Sequence, residues 1–507
     1  MRTFGRVPCL CLALLSLVAA VGCGSGSPIL NHFTGNFSDA SLKGTYVYQV
    51  HAVALVNGGS IVPYRQVGVF TADGAGGITG TDDSSVSSSG TTTQGSYQIA
   101  SDGTGQITFN TSSLGAIQFA VTMVSTSKVQ MIENDPSLNA AGVAELQDPT
   151  AAGTTPGGTF VFRLHQEAAA QNPNGAEASQ VGGFSLASGS GSGAMDQILG
   201  TTSSAALSSS NLTVTVNAPA ASGRGTATLL DTTASFTTHI VYYIVNSGEL
   251  ALLVSDAGAI GSGSAEAQTN VAGGTGLSGS YAFGSRGDDL SLQGLATVGQ
   301  FTAAPGTIAG VEDLMQDGAF TPNAALASTC FAAGAGGGIN GRVVATNGSG
   351  APCSGSTTQI FWMVNPSRAF FLDDNGATFE DGTADLQTTN PLSASSLVGQ
   401  YVIDMDGLDR TPEQVGLSDL YLSRVGLLRF DGSSNLTLNE FANEFNGGAS
   451  PGLIAGTYSV GANGRIVANF NSNPPLNLVM YPVSSSQAYA LQQDLGLVTS
   501  GTLELQH

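Results

Sequence analysis

Charge is what this chain has least of. Only 10% of its 507 residues are charged, against about a quarter in an ordinary soluble protein. Basic residues are scarcest: 14 Lys and Arg face 36 Asp and Glu, a formal net charge of -22. A nucleic-acid binder needs clustered Lys and Arg to neutralise phosphates, so that class is excluded. Docking on an anionic membrane through basic side chains is excluded on the same ground. There is one Trp, and the five histidines are too scattered for a familiar catalytic set. No segment of any length shows helical periodicity with caps, and no phosphate loop, dinucleotide fingerprint or zinc spacing is present. What is there instead is glycine, 69 residues of it, within a chain that is 41% hydrophobic. That composition can bury a core and is neither disordered nor collagen-like. The length allows three or four domains.

Arg2 and Arg6 precede an apolar run from Val7 to Val21. It is short for a spanning helix, which needs about 20 residues, and right for a signal sequence. The run ends in Ala20-Val21-Gly22-Cys23, which resembles the lipobox of bacterial lipoproteins. That resemblance implies that residues 1–22 are a signal peptide and that Cys23 carries lipid and reaches the membrane through it. An ordinary secretory signal with an incidental Cys23 is the alternative. Residues 23–41 then read as a flexible tether opened by Gly24-Ser25-Gly26-Ser27-Pro28. Position 24 is Gly rather than the Asp that retains lipoproteins at the inner membrane, which favours an exported protein anchored in the outer membrane. Cys9 and Cys11 leave with the signal, so Cys330 and Cys353 remain. An even pair in an oxidising compartment reads as a disulfide; two free thiols or a metal pair are the alternatives.

Internal repetition is the strongest signal. A Gly-x-aromatic phrase opens at Gly44, Gly158, Gly279 and Gly399, about 120 residues apart. A closing phrase returns at the same spacing: Gly142 to Gln147, Gly263 to Gln268, Gly382 to Gln387 and Gly501 to Gln506. Between them recur Val67-Gly68, Val181-Gly182, Val298-Gly299 and Val425-Gly426. Four units follow, at 42–148, 157–269, 277–388 and 397–507. Within each, apolar residues alternate, as at Tyr46, Tyr48 and Val50, and turn pairs such as Asp102-Gly103 and Asn463-Gly464 punctuate the strands. The fold class is therefore all-β: four tandem antiparallel meanders, each a small β-barrel of about eight strands. A two-sheet sandwich is the competing arrangement. The opening phrase is similar to the start of calycin-like barrels, with Tyr or Phe where those carry Trp. More broadly, the chain resembles the tandem-repeat, glycine-rich lipoproteins of environmental bacteria that carry no assigned activity.

Candidate chemistry is sparse. Gly448-Ala449-Ser450-Pro451-Gly452 matches a nucleophile elbow, but Pro451 has no N–H to offer an oxyanion and a strand, not a helix, is expected after it. His51 and His165 share one repeat position, which Arg286 and Asp406 take in the later units, so no general base is common to all four. Two series of carboxylates recur: Asp83, Asp196, Asp313 and Glu440, and then Asp135, Asp256, Asp374 and Asp494. Such residues either ligate a cation or bond the backbone of their own turns. Asp404, Asp406 and Asp409 are the best local calcium candidates; Asp288-Asp289 and Asp373-Asp374 are poorer ones, and no other cofactor is expected. These features point to a non-enzymatic, lipid-anchored envelope protein with a structural, adhesive or display role. Its partner would be an envelope or extracellular macromolecule. The rival is a module that captures a small apolar ligand or a glycan in one or more units.

Overall fold

A computed structural model describes residues 33–507 except 57–59, 86, 112–114, 135–137, 169–176, 202–203, 290–293, 329, 347–356, 374–377, 389–391, 411–419 and 445–447. Each unit is an antiparallel meander. Unit 1 runs through eight strands: Lys43–Val56, Ser60–Asp73, Gly77–Ser84, Ser87–Ile99, Thr104–Thr111, Gly115–Ser125, Lys128–Glu133 and Leu138–Leu146. It closes by pairing first strand with last, Tyr46 opposite Leu146 and Ala54 opposite Leu138. Unit 2 (strands within Gly158–Ala267) and unit 4 (Val398–Leu505) close in the same way. Unit 3 (Gly279–Leu386) is a sheet of nine strands that does not close. There the place of the fourth strand is divided between Ala319–Ser328, paired with the third strand, and Cys330–Gly336, paired with the fifth. The barrel expectation therefore holds for three units, the third is an opened version of it, and the sandwich alternative falls away.

The recurring phrases have local causes. The four opening glycines all have positive φ, from 95° to 126°, where a side chain would be strained. In units 1 to 3 the glycine of the middle landmark lets an aromatic ring of the first strand lie across the second: a Cβ on Gly68 would stand 2.7 Å from Tyr48, and one on Gly182 2.7 Å from Phe162. Eight strands enclose a space just wide enough for side chains to fill. Tyr46, Tyr48, Phe70, Phe109 and Phe119 fill unit 1, and Phe160, Phe162, Phe184 and Tyr242 fill unit 2. The opening aromatic stacks on the landmark Phe, Tyr46 on Phe70 at 5.4 Å and Tyr281 on Phe301 at 5.3 Å.

Each barrel has two unlike ends. At the end where the strands begin, the lead-in segments plug the core with Leu42, Leu277 and Leu397, and with Ala151 from the helical turn Pro149–Ala152. The described part of the expected tether, residues 33–41, takes part in this plug rather than hanging free. Phe37 packs on the core of unit 1, and Asp39 Oδ1 accepts the Ile99 N–H at 2.7 Å. At the far end the interiors turn polar: Gln66 and Asp82 in unit 1, Gln166, Gln180 and Gln197 in unit 2, Glu312 and Glu380 in unit 3, Arg424 and Glu440 in unit 4.

The units do not lie in a row. The opening strands of unit 1 pack on the last three strands of unit 2, those of unit 2 on unit 3, and those of unit 3 on unit 4. The opening strands of unit 4 then pack on the last three strands of unit 1. Head-to-tail contacts of this kind either propagate or close. Here they close, into a ring of three barrels and the opened third unit, with approximate fourfold symmetry.

Candidate functional site

The seams between barrels, and the axis on which they converge, collect most of the polar side chains that recur. Asp83 and Asp196 are fully buried, and so is Asp313. Each stands on the outside of its barrel and is clasped by an arginine of the next. Arg224 Nε and Nη2 lie 2.6 and 2.7 Å from Asp83, Arg342 Nε and Nη2 lie 2.7 and 2.6 Å from Asp196, and Arg465 Nε and Nη2 both lie 2.7 Å from Asp313. A neighbouring strand adds an aromatic donor: Tyr243 O–H to Asp83 at 2.7 Å, Trp362 Nε1–H to Asp196 at 2.7 Å, Tyr481 O–H to Asp313 at 2.5 Å. Two parallel N–H bonds and a third donor satisfy a buried carboxylate that would otherwise be costly. Burial first, and then the adjacent aspartate charge and hydrogen bond, push the Tyr243 phenol far up.

The fourth seam, from unit 4 back to unit 1, has none of these three groups. Strand register places Phe441 where the aspartates stand, because Val425 opposite Phe441 corresponds to Val67 opposite Asp83. Glu440, the residue expected there, points into its own barrel and accepts from Arg424 at 2.8 Å. The turn before it is one residue longer in units 1 and 4 than in units 2 and 3, so counting along the chain misplaces it. Thr104 replaces the arginine and Thr122 the aromatic. Uncharged groups take over: Asn139 Nδ2 donates to the carbonyls of Tyr421 and Asn443, both at 2.7 Å, and Ser423 Oγ donates to Asn139 Oδ1 at 2.7 Å.

A second device is common to all four seams. The last residue of each closing phrase is a glutamine that donates to carbonyls of the next barrel. Gln147 reaches Ile244 at 2.7 Å, Gln268 reaches Met363 at 2.7 Å, Gln387 reaches Pro482 at 2.7 Å and Gln506 reaches Met123 at 2.7 Å. The following backbone N–H does the same, from Asp148, Thr269, Thr388 and His507 to Val245, Val364, Val483 and Val124.

Along the axis stand the four equivalent positions His51, His165, Arg286 and Asp406. His51 Nε2 is 2.7 Å from Asp406 Oδ2, Arg286 bonds the same carboxylate, and Tyr421 donates to it. Burial works to raise the Asp406 pKa, but Arg286 and His51 hold it far below the usual carboxylate range. His165 Nδ1 lies 2.9 Å from Asp381 of unit 3, and Arg65 bonds Glu167 of unit 2.

Of the calcium candidates, Asp404, Asp406 and Asp409 lie on the strand Val398–Asp409, not on a loop. Alternation puts Asp404 and Asp406 on one face and Asp409 on the other, and the carboxylate of Asp406 is taken by Arg286, His51 and Tyr421. Among the described residues no group of three or more His, Cys, Asp or Glu is arranged to hold a metal ion. Asp256 and Asp494 bond the backbone N–H groups of His239 and Asn477, at 2.7 and 2.8 Å, clasping a hairpin end. Asp135 and Asp374 lie outside the described residues, as does Cys23. Cys330 is disulfide-bonded, and Cys353 lies outside the described residues. The elbow-like run at Gly448 begins the strand Gly448–Val460, with no helix after it.

The seam arginines were the residues missed in the sequence. Their signal was available: in a chain with 14 basic residues, Arg224, Arg342 and Arg465 each follow directly on a turn glycine.

No protein-family model matches the chain, and no curated protein matches it. Three solved structures share 9–10% identity with it. Intact Ap-TbpB (N and C lobes) covers 75% of this chain and 84% of its own, with a TM-score of 0.17. A putative AttH from Nitrosomonas europaea covers 69% and 91%, with a TM-score of 0.15. The siderophore receptor PirA from Pseudomonas aeruginosa covers 91% and 80%, with a TM-score of 0.12. At these scores the likenesses carry no argument.

Proposed function

We propose that this chain is a non-catalytic, lipid-anchored protein of the outer membrane whose ring of barrels is a rigid platform for display. One observation carries the reading: most of the recurring polar side chains hold barrel to barrel, while the interiors toward the plugged ends are filled with aromatic and aliphatic side chains. Ser179 Oγ lies 3.3 Å from His165 Nδ1 but donates to Asp381 at 3.1 Å, and that nitrogen faces the same carboxylate at 2.9 Å, so the imidazole is not set to take the hydroxyl proton.

The entry of the chain supports an orientation. Phe33 packs against Val124 of unit 1 and Val402 and Leu427 of unit 4, so the segment leading back to Cys23 leaves from the seam between those units, at the plugged ends. The strand ends that flank the longest connections inside the units, Ala168 and Glu177, Thr346 and Thr357, and Asp409 and Leu420, all lie at the opposite ends. Anchored through Cys23, the ring turns those ends away from the membrane, toward an envelope or extracellular macromolecule. The rival reading, capture of a small ligand, is favoured more on that outer face, as a glycan site, than inside the filled barrels.

Fractionation of the full chain in a Gram-negative host tests the anchor. The native chain is expected in the outer membrane and Cys23→Ser in the soluble fraction; identical fractionation overturns the lipid reading. Catalytic turnover that a single substitution at a defined site abolishes would overturn the non-catalytic one.

A further inference from the structure

The four seams place equivalent residues around the axis near the plugged ends, and comparing them exposes an anomaly. The closing phrase supplies an acid in every unit: Glu145, Glu266, Asp385 and Glu504. Opposite it, the first residue of the seventh strand of the next barrel is the natural place for a cation. Lys128 of unit 1 lies 2.7 Å from Glu504 of unit 4, and Arg368 of unit 3 lies 3.0 Å from Glu266 of unit 2. At the seam between units 3 and 4, Tyr489 donates to Asp385 at 2.6 Å. At the seam between units 1 and 2, the residue in the cation's place is Glu249, and it faces Glu145 across a cleft of about 30 Å³ that Gln49, Val245 and Ser264 also line. That space has room for water, and no Lys or Arg lines it.

We propose that Glu145 and Glu249 form a proton-operated latch: they share one proton in mildly acidic conditions, holding units 1 and 2 together, and its loss loosens this seam alone. Both carboxyl groups line this one cleft across the seam, and two carboxylates so placed repel each other unless one of them keeps its proton. The groups facing Glu249 are Glu145 of unit 1, Glu266 on the adjacent strand of its own barrel, and the Asn246 amide at 3.2 Å. Lys128 feels both Glu145 and Glu249 at longer range but is bonded to Glu504. Burial first, then the charges of Glu145 and Glu266, push Glu249 up to about 7. An acid with a raised folded pKa favours the folded seam fully below its unfolded value near 4.5, and that advantage is lost as pH climbs through about 7.

The four cross-seam N–H groups of Asp148, Thr269, Thr388 and His507 give a built-in comparison, readable by hydrogen exchange on the full chain at pH 5.5 and pH 8 after correction for intrinsic rates. Exchange at Asp148 is expected to quicken by about tenfold at the higher pH while the other three keep their protection. Glu249→Gln is expected to stay protected at both values, and so is Glu249→Lys, which copies the arrangement of Lys128 and Arg368. Equal protection of Asp148 at the two pH values, or a pH response that survives in either variant, would overturn the latch. So would a response of the same size at all four seams.

Discussion

Gln506 donates to the carbonyl of Met123 at 2.7 Å, joining residues 383 positions apart in the chain. Gln147, Gln268 and Gln387 make the equivalent bond to barrels that the chain already holds nearby. Of these four glutamine bonds, only that of Gln506 spans a seam that no linker crosses.

Gln506→Ala should therefore open the ring where Gln147→Ala does not. Each substitution leaves buried carbonyls without a donor, at a cost of about 1–3 kcal/mol. At the linked seam the barrels stay together by tethering. Small-angle scattering should show a larger radius of gyration for Gln506→Ala alone, and equal radii for the two variants would contradict this account.

The buried clasp of Asp196 by Arg342 and Trp362 predicts a steep loss on removing one partner. Arg342→Met strands a carboxylate from which water is excluded and should lower stability by about 3–5 kcal/mol. The double variant Arg342→Met with Asp196→Leu should recover most of that loss. Denaturant midpoints of the two single variants and the double one form the cycle that measures the coupling.

The fourth seam can be rebuilt with the aspartate clasp of its siblings. Phe441→Asp alone should destabilise, because it replaces a ring packed on Ala120, Ile132 and Ala141 with a charge that has neither the arginine nor the aromatic donor of the other seams. Adding Thr104→Arg and Thr122→Tyr should restore melting to near the parent value. A triple variant no more stable than Phe441→Asp would show that backbone positions differ at this seam more than the register suggests.

Asp406 predicts a pH dependence on the acid side. Its folded pKa is depressed, so its contribution is present above the unfolded carboxylate value near 3.8 and is lost as pH falls toward the folded one. Asp406→Asn should be less stable than the parent at pH 7, and the gap between the two stability curves should narrow steadily as pH falls below about 4. Parallel curves from pH 7 to pH 2.5 would remove Asp406 from the account.

Strands and turns were legible because each rests on neighbours in sequence: alternation at Tyr46, Tyr48 and Val50, or glycine at a positive-φ entry such as Gly44. The recurring aspartates were legible as a series but not as a clasp. Asp83 and Arg224 lie 141 residues apart, and nothing local to either records that their barrels touch. Glu440 shows the converse limit. A turn one residue longer shifted the count, and only strand register identifies Phe441 as the fourth member. The axis was half visible, since His51, His165, Arg286 and Asp406 could be aligned; that they converge required the ring.

The axis also shows what a single chain can do that separate subunits cannot. In a ring of four identical copies, whatever occupies this position occupies it four times, so four aspartates or four arginines would crowd one line. Only neutral or small residues would be tolerated there. Fusing the copies lifts that restriction, because each quarter can then mutate alone. An arginine can settle opposite an aspartate, with a histidine beside it, and the point of greatest mutual repulsion becomes a point of attachment.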